Sequence, residues 1–270
     1  MKKKILIYSF LLVASLTFLY PFYWMIIASL APEKEIGSLL LFPSGLSWDS
    51  YIQMFSKIPI GSAFMNSIIT AVATTIGVIL FCSMVGYALA KMEFKGKNAI
   101  FYIIIFTMTL PFQITLIPNY ITMVKLGLVD TYAALIIPFM LNSFAILMFR
   151  QAFMTMPQAL IDAARIDGCS ETRIIFQILF PNIIPTIVTV GILTFMNSWN
   201  EVLWPLIVIR DESLMTMPQM VTLFSVGGRS ESQLGVKLAA AVVLALPIMI
   251  AYAFFQKYFI QSMASSGIKE

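Results

Sequence analysis

Apolar residues in this chain fall into long blocks, without the three-to-four spacing of a half-buried helix or the alternation of a half-buried strand. Six blocks stand out, at about 5–30, 62–90, 99–120, 132–149, 174–204 and 238–255. Each is long enough to cross a hydrocarbon layer, and a chain in lipid must satisfy its own backbone hydrogen bonds, so each block predicts a helix. The chain therefore reads as an all-α integral membrane protein, a single domain over 1–270 with six transmembrane helices. Pro111 and Pro118 interrupt the third block, with Gln113 between them.

Polar segments separate the blocks. Ala31 to Gly61 carries Glu33, Lys34, Glu35, Asp49 and Lys57 with Pro32, Pro43 and Pro59, a turn-rich connection. Tyr20, Tyr23, Trp24 and Trp48 suit a membrane interface beside it. Lys91, Glu93, Lys95 and Lys97 form a basic turn, Lys125, Gly127 and Asp130 a third connection, and Pro205 to Gly235 a long loop. Met1-Lys2-Lys3-Lys4 before an apolar run resembles a secretory signal. The run is too long for one, and cleavage after Ala31 would place Pro32 just past the cut, so an uncleaved first span is expected. With both ends in the cytosol, eleven lysines and arginines fall inside (Lys2, Lys3, Lys4, Lys91, Lys95, Lys97, Arg150, Arg165, Arg173, Lys257, Lys269) against six outside (Lys34, Lys57, Lys125, Arg210, Arg229, Lys237), which favours that orientation.

A charged insert from Phe153 to Pro185 divides the fourth block from the fifth. Thr155 and Gln158 have capping-box spacing, Pro157 suits a first turn, and Gly168 suits a left-handed C-cap, so a helix is expected over about 156–168. Ser170 and Glu171 would start another. A dozen residues make a rod of about 18 Å, too short to cross a bilayer. Ala163 and Ala164, flanked by Asp162, Arg165 and Asp167, would let another backbone approach closely while charges fix register. The alternative is a loop helix that simply stays solvated.

Composition narrows the chemistry. With 60% hydrophobic and 11% charged residues and a mean hydropathy of +0.90, an ordinary soluble domain is excluded. The net charge of +4 reflects topology, not nucleic-acid binding, and there is no histidine to act as metal ligand or general base. Cys82 and Cys169 are expected as free thiols, with no cofactor or metal held by the chain. Gly96-Lys97 lacks the upstream glycine and the hydroxyl residue of a phosphate loop, and no protease constellation is present. Charged groups inside spans cost about 2.5–3.5 kcal/mol and tend to mark function. Glu201 alone qualifies, near the end of its block.

Uncharged polar side chains do lie within the blocks: Asn66, Thr70, Gln113, Asn142, Ser143, Asn197, Ser198 and Asn200. Hydrogen bonding between helices is one reading. A translocation path is the other, with Asn197, Trp199, Asn200 and Glu201 as candidates, because hydroxylated solutes need donors, acceptors and aromatic faces together. An interfacial belt also accounts for Trp199 and Trp204.

Asp162-Ala163-Ala164, three residues, Gly168, nine residues and Ile178-Leu179-Phe180-Pro181 resemble the EAA signature of bacterial ABC importer membrane subunits, Glu-Ala-Ala-x3-Gly-x9-Ile-x-Leu-Pro. Asp162 stands for Glu and Phe180 for Leu. Gly86-Tyr87-Ala88-Leu89-Ala90, Leu110-Pro111-Phe112-Gln113, Leu116-Ile117-Pro118, Ile166-Asp167-Gly168 and Trp199-Asn200-Glu201-x-Leu203-Trp204-Pro205-Leu206 extend the resemblance to the carbohydrate-uptake branch, and within it to the smaller six-span subunit of maltose-type transporters.

The resemblance implies a type I ABC importer permease fold, with 156–168 as a cytosolic coupling helix between spans four and five. Asp162, Ala163, Ala164, Arg165, Asp167 and Gly168 would dock on one of two ATP-binding subunits, which carry the ATP and Mg. A second homologous permease chain would complete the path, and an extracytoplasmic sugar-binding protein would meet Arg210 to Gln233. Gly267, Ile268 and Lys269 in the cytosolic tail 256–270 would touch the ATPase, although a frayed terminus accounts for the same residues. The location implied is the bacterial cytoplasmic (inner) membrane, with lipid as a further partner and no nucleic acid. A sugar or oligosaccharide is the implied solute and glycerol phosphate the alternative, with most sugar contacts on the larger permease. An autonomous carrier or scaffold remains the third functional class.

Overall fold

Prolines decide where the apolar blocks stay straight and where they break. The computed structural model describes residues 2–36, 42–226 and 233–267. α1 (Lys2–Ser29) covers the first block, and α2 (Asp49–Lys57) is a short helix in the polar connection after it. α3 (Ile60–Lys91) is a 32-residue rod. The third block, expected as one span over 99–120, is instead α4 (Lys97–Met108) and α5 (Phe112–Lys125), meeting at 106°. Pro111 has no N–H to give and disfavours helical geometry at Leu110, so α4 ends before it and α5 restarts after it.

The fourth block is also bent. α6 (Tyr132–Ile136) runs into a 3₁₀ turn at Ile137–Phe139, and α7 (Ser143–Met154) follows at 47°. Pro138 sits in that turn, and Asn142 caps α7 by accepting the Ala145 N–H at 3.0 Å. Cys82 fills the gap from α3: its thiol lies 3.7 and 3.6 Å from the Met140 and Asn142 carbonyls and accepts the Asn142 N–H.

α8 (Gln158–Ile166) is the short charged helix. α9 (Glu171–Arg173) continues through a π turn at Ile174–Leu179 and a 3₁₀ turn at Phe180–Ile183 into α10 (Ile184–Asn200). Pro181 and Pro185 each remove a helix donor there, and looser or tighter turns absorb the loss. α11 (Leu203–Val208), α12 (Met217–Val226) and α13 (Leu234–Gly267) complete the chain. Four helices are long and apolar enough to cross a membrane, and the number is six if each of the two bent pairs is one span. Among the described residues there is no strand.

α3 is the central post, flanked by α7 and α10. At Gly86 the neighbouring helix comes so close that an added Cβ would lie 2.8 Å from Phe149 Cβ and 2.9 Å from the Arg150 nitrogen. Small residues permit such contact, which matters in lipid because packing replaces the hydrophobic effect as the force between helices.

The segment expected as a loop over Pro205 to Gly235 is largely helical where described. Met217, Met220, Val221 and Phe224 repeat at helical spacing and pack on α2, α3 and α13. Ser67 accepts the Met217 N–H at 2.7 Å, and Asn66 donates to Ser213 O at 2.8 Å and Met215 O at 3.0 Å. Glu33 caps α13, accepting from Leu234 N at 2.6 Å and Gly235 N at 3.0 Å.

Asp130 joins the α5–α6 connection to the strand-like turn after α11. It has a left-handed backbone, φ 58°, and its carboxylate accepts the N–H groups of Arg210 and Asp211. Those two bonds hold its pKa below the usual carboxylate value. A depressed folded-state pKa contributes stability above the unfolded value, about 3.9, and that contribution is lost as pH falls through the folded value. Asp130→Asn keeps the left-handed tolerance and removes the charge. It is expected to weaken protection of the Arg210 and Asp211 amides at neutral pH and to flatten their acid dependence, measured by hydrogen exchange corrected for intrinsic rate. An Asn variant as acid-sensitive as the parent would exclude this clamp.

Candidate functional site

Two places concentrate chemistry, one at the C-terminal end of α3 and one beside its middle. The first is α8. Its expected capping box does not form: Pro157 itself occupies the N-cap position, Thr155 donates back to Ala152 O at 2.8 Å, and Gln158 donates to Asp162 at 3.1 Å. Its C-terminus closes as expected, with Gly168 at φ 76°. Cys169 N–H reaches Ala164 O and Gly168 N–H reaches Arg165 O, both at 3.0 Å, the paired bonds of a Schellman motif. Ser170 then caps α9 by accepting from Arg173 N at 3.4 Å.

Helical rotation of about 100° per residue separates the two alanines. Ala164 turns inward with Ile161, and both join the core built from Tyr87, Phe149, Phe153, Ile174 and Leu179. Ala163 stays exposed beside Ala159, Asp162 and Asp167, so the small face is narrower than Ala163 and Ala164 together. Ile166, not singled out from the sequence as a contact residue, is 86% exposed on that side.

Polar contacts fix α8 to the bundle. Arg165 Nε lies 2.8 Å from Glu171 Oε1, and Glu171 also accepts from the Tyr87 hydroxyl of α3. The Glu171 bond raises the already high pKa of Arg165, so its charge is constant across working pH. Lys91, the last residue of α3, donates to Met156 O at 2.6 Å. Arg150 stacks 4.0 Å from the centre of the Phe101 ring and so anchors α7 to α4. The short helix is therefore joined at both its ends to α3, while one face is left open.

The second place is a cavity of about 450 Å³ between α3, α5, α10, α11 and the 3₁₀ turn after α6. That volume lies in the range of small-solute pockets, roughly 300–1,000 Å³. Three backbone interruptions open on it: Phe112 and Gln113 follow the α4–α5 break, Leu141 and Asn142 form the α6–α7 break, and Glu201 and Leu203 flank the α10–α11 break. Irregular backbone at membrane depth is tolerated where it is buried in protein or lines a water-filled space, and transporters use such broken helices at their binding sites. One wall is aromatic, with the Trp204 ring edge-on to Phe112 at 6.0 Å and to Phe139 at 6.1 Å.

Of the residues expected on a path, Asn197 and Glu201 line this cavity, one helical turn apart, together with Thr194 and Ser198. Trp199 and Asn200 do not. Trp199 is buried against Phe64 and Phe195 and donates to Leu244 O at 3.0 Å, while Asn200 turns back to Met196 O at 2.9 Å. At about 100° per residue, Thr194, Asn197, Ser198 and Glu201 fall on one face of the helix, and Trp199 and Asn200 turn away from it. Gln113 and Asn142, noted in the sequence only as polar residues in spans, join the lining. Gly267 ends α13, whereas Ile268 and Lys269 lie outside the described residues, as do 227–232 in the Arg210–Gln233 segment.

Apolar helices packed around a cavity lined with hydroxyls and amides, with a short charged helix braced to the central one, are the arrangement of a multi-pass membrane transport protein. The chain belongs to the family described as the binding-protein-dependent transport system inner membrane component, whose model matches residues 82–265. It is 39% identical to the arabinooligosaccharides transport system permease protein AraQ of Halalkalibacterium halodurans over 93% of this chain and 91% of that protein. It is 28% identical to the sn-glycerol-3-phosphate transport system permease protein UgpE of Pectobacterium atrosepticum, over 95% and 94%. A solved bacterial ABC transporter involved in the import of the acidic polysaccharide alginate contains a chain of the same fold, with a TM-score of 0.79 and 24% identity over 95% of this chain and 96% of that one. The fold is that of a type I ABC importer permease, and the chain is a non-catalytic membrane subunit of such an importer.

Proposed function

We propose that this permease imports a saccharide in partnership with a second homologous permease chain, two ATP-hydrolysing subunits and an extracytoplasmic binding protein. The observation that carries the mechanism is α8: braced to α3 through Arg165, Glu171, Tyr87 and Lys91, it leaves Ala159, Asp162, Ala163, Ile166 and Asp167 uncovered. Ile166, 86% exposed, stands among the small and acidic residues of that uncovered face. The face suits a cleft on the ATPase, where Ile166 enters as an apolar anchor and the two aspartates set register.

In this reading both termini and α8 lie in the cytosol, and the tail 256–270, with Gly267, Ile268 and Lys269, runs toward the ATPase pair. The α12 end faces the binding protein. ATP and Mg stay on the ATP-binding subunits; this chain binds no cofactor. Closure of those subunits moves the two permeases' short helices together, and each brace passes the movement to its spans, exchanging inward-open for outward-open states. AraQ's substrate class supports an oligosaccharide as solute. UgpE's supports a phosphate ester as the second reading.

The test is reconstitution of the co-expressed complex in liposomes with its binding protein, scoring ATP hydrolysis and uptake. Anchor residues in a closed contact are worth about 2 kcal/mol or more, and about 1.4 kcal/mol is tenfold. Ile166→Asp is expected to cut stimulated hydrolysis and uptake at least about tenfold, with insertion and thermal stability little changed because the residue is 86% exposed. Normal uptake by that variant excludes α8 as the docking element.

A further inference from the structure

We infer that this chain itself carries a subsite for an uncharged polyhydroxy solute, in the cavity where the three helix breaks meet. The inference rests on the importer reading and goes beyond it, since the sequence resemblance places most sugar contacts on the partner permease. Its basis is a set of hydroxyls with nothing to bond. Thr70, Thr74 and Thr216 line the cavity at 5%, 2% and 4% exposure, and none of their Oγ1 atoms has a hydrogen-bond partner.

That state is not what threonine normally adopts in a helix, where its hydroxyl returns to the carbonyl a turn earlier. Thr75, next to Thr74 on the same helix, does so, donating to Ala71 O at 2.7 Å, and Thr189 does so to Pro185 O at 2.8 Å. Asn66, one turn from Thr70 on the same stripe, is fully engaged with Ser213, Met215 and Tyr132. Thr70 and Thr74 thus hold their hydroxyls in reserve at the one stretch of α3 that borders the cavity. Buried polar groups are nearly always satisfied, so the missing partner is a molecule that enters.

The lining defines its chemistry. Hydroxyls that both donate and accept, the amides of Gln113, Asn142 and Asn197, and the Phe112, Phe139 and Trp204 rings match the alternating hydroxyls and apolar faces of a saccharide ring. Glu201 is the one charged residue among the cavity's lining, and it spends Oε1 on the Trp204 N–H at 3.1 Å. A carboxylate with no cation in the wall repels a phosphate ester and accepts a hydroxyl donor. The subsite therefore selects the neutral solute over the anionic one.

The test uses the complete complex in nanodiscs and two probes, arabinotriose and sn-glycerol 3-phosphate, with equilibrium binding read after removal of the binding protein. The parent complex is expected to prefer arabinotriose, and the paired substitution Thr70→Val with Thr74→Val to weaken that binding about tenfold. Thr75→Val, an equal change one position away, should leave it unaltered and so controls for general loosening of α3. Parent-like affinity in the paired variant, a preference for the phosphate ester, or binding of neither probe each overturns the subsite. Stimulated ATP hydrolysis, read on the same complex before the binding protein is removed, reports separately: if it is absent while the binding pattern holds, the importer mechanism fails and the subsite stands.

Discussion

Gly86→Leu is expected to leave little folded permease to extract from the membrane. The Cβ alone would press to 2.8 Å on Phe149 Cβ and 2.9 Å on the Arg150 nitrogen, and 3.1 Å from Ile146 O. Two of those three atoms are backbone, so no rotamer change relieves the contact. α7 must move away from α3, and the core that includes Tyr87, Phe149, Phe153, Ile161 and Ile174 opens with it. Overpacking of this kind costs about 1–3 kcal/mol, occasionally more, and about 1.4 kcal/mol is tenfold in the folded fraction. Gly86→Ala introduces only the Cβ and should lose less. The measurement is the monodisperse fraction after detergent extraction, with the thermal midpoint of what survives. A Gly86→Leu complex with the parent's midpoint would mean that the two helices do not approach this closely.

Gly168→Val is expected to do the reverse, sparing the fold and abolishing transport. Nothing lies within 4 Å of a Cβ built at Gly168, so there is no clash to open the core. The strain is in the backbone: φ of 76° is hostile to a β-branched residue and costs about 1–3 kcal/mol. Relief comes from unwinding the turn, which breaks the bonds from Cys169 and Gly168 to Ala164 and Arg165 and displaces Ile166 beside them. Gly168→Asn, which tolerates the left-handed region, should retain much of the activity. Uptake by reconstituted complex, normalised to inserted protein, is expected to follow Gly, then Asn, then Val. Full uptake by the Val variant would show that the geometry of this turn is immaterial to coupling.

The apolar blocks were legible because lipid leaves a helix no alternative, but their bends were only partly so. Pro111 marked an interruption without announcing a turn of 106°, since proline removes a hydrogen bond whereas the packing around it sets the angle. Met217, Met220, Val221 and Phe224 displayed helical spacing in what was taken for loop; a segment rich in prolines and charges at its edges masked a ten-residue amphipathic helix. The Thr155–Gln158 capping pattern misled because Pro157 took the capping position and Thr155 found a nearer acceptor. Trp199 and Asn200 were grouped with Asn197 and Glu201 because neighbours in sequence were read as neighbours in space. The idle hydroxyls of Thr70 and Thr74 had no signature at all: a threonine whose hydroxyl lacks a partner has the same letter as one that bonds its own backbone.

The brace at the end of α3 has a mechanical consequence. α3 has 32 residues, so it is a rod of about 48 Å, held by Lys91 and Tyr87 near one tip. Thr74 and Thr70 stand 17 and 21 residues from Lys91, about 25 and 31 Å along it. If the rod pivots about its braced tip by only about 5°, those hydroxyls sweep sideways by roughly 2–3 Å, close to one hydrogen-bond length. A swing too small to disturb the packing at the pivot is then large enough to let go of a solute.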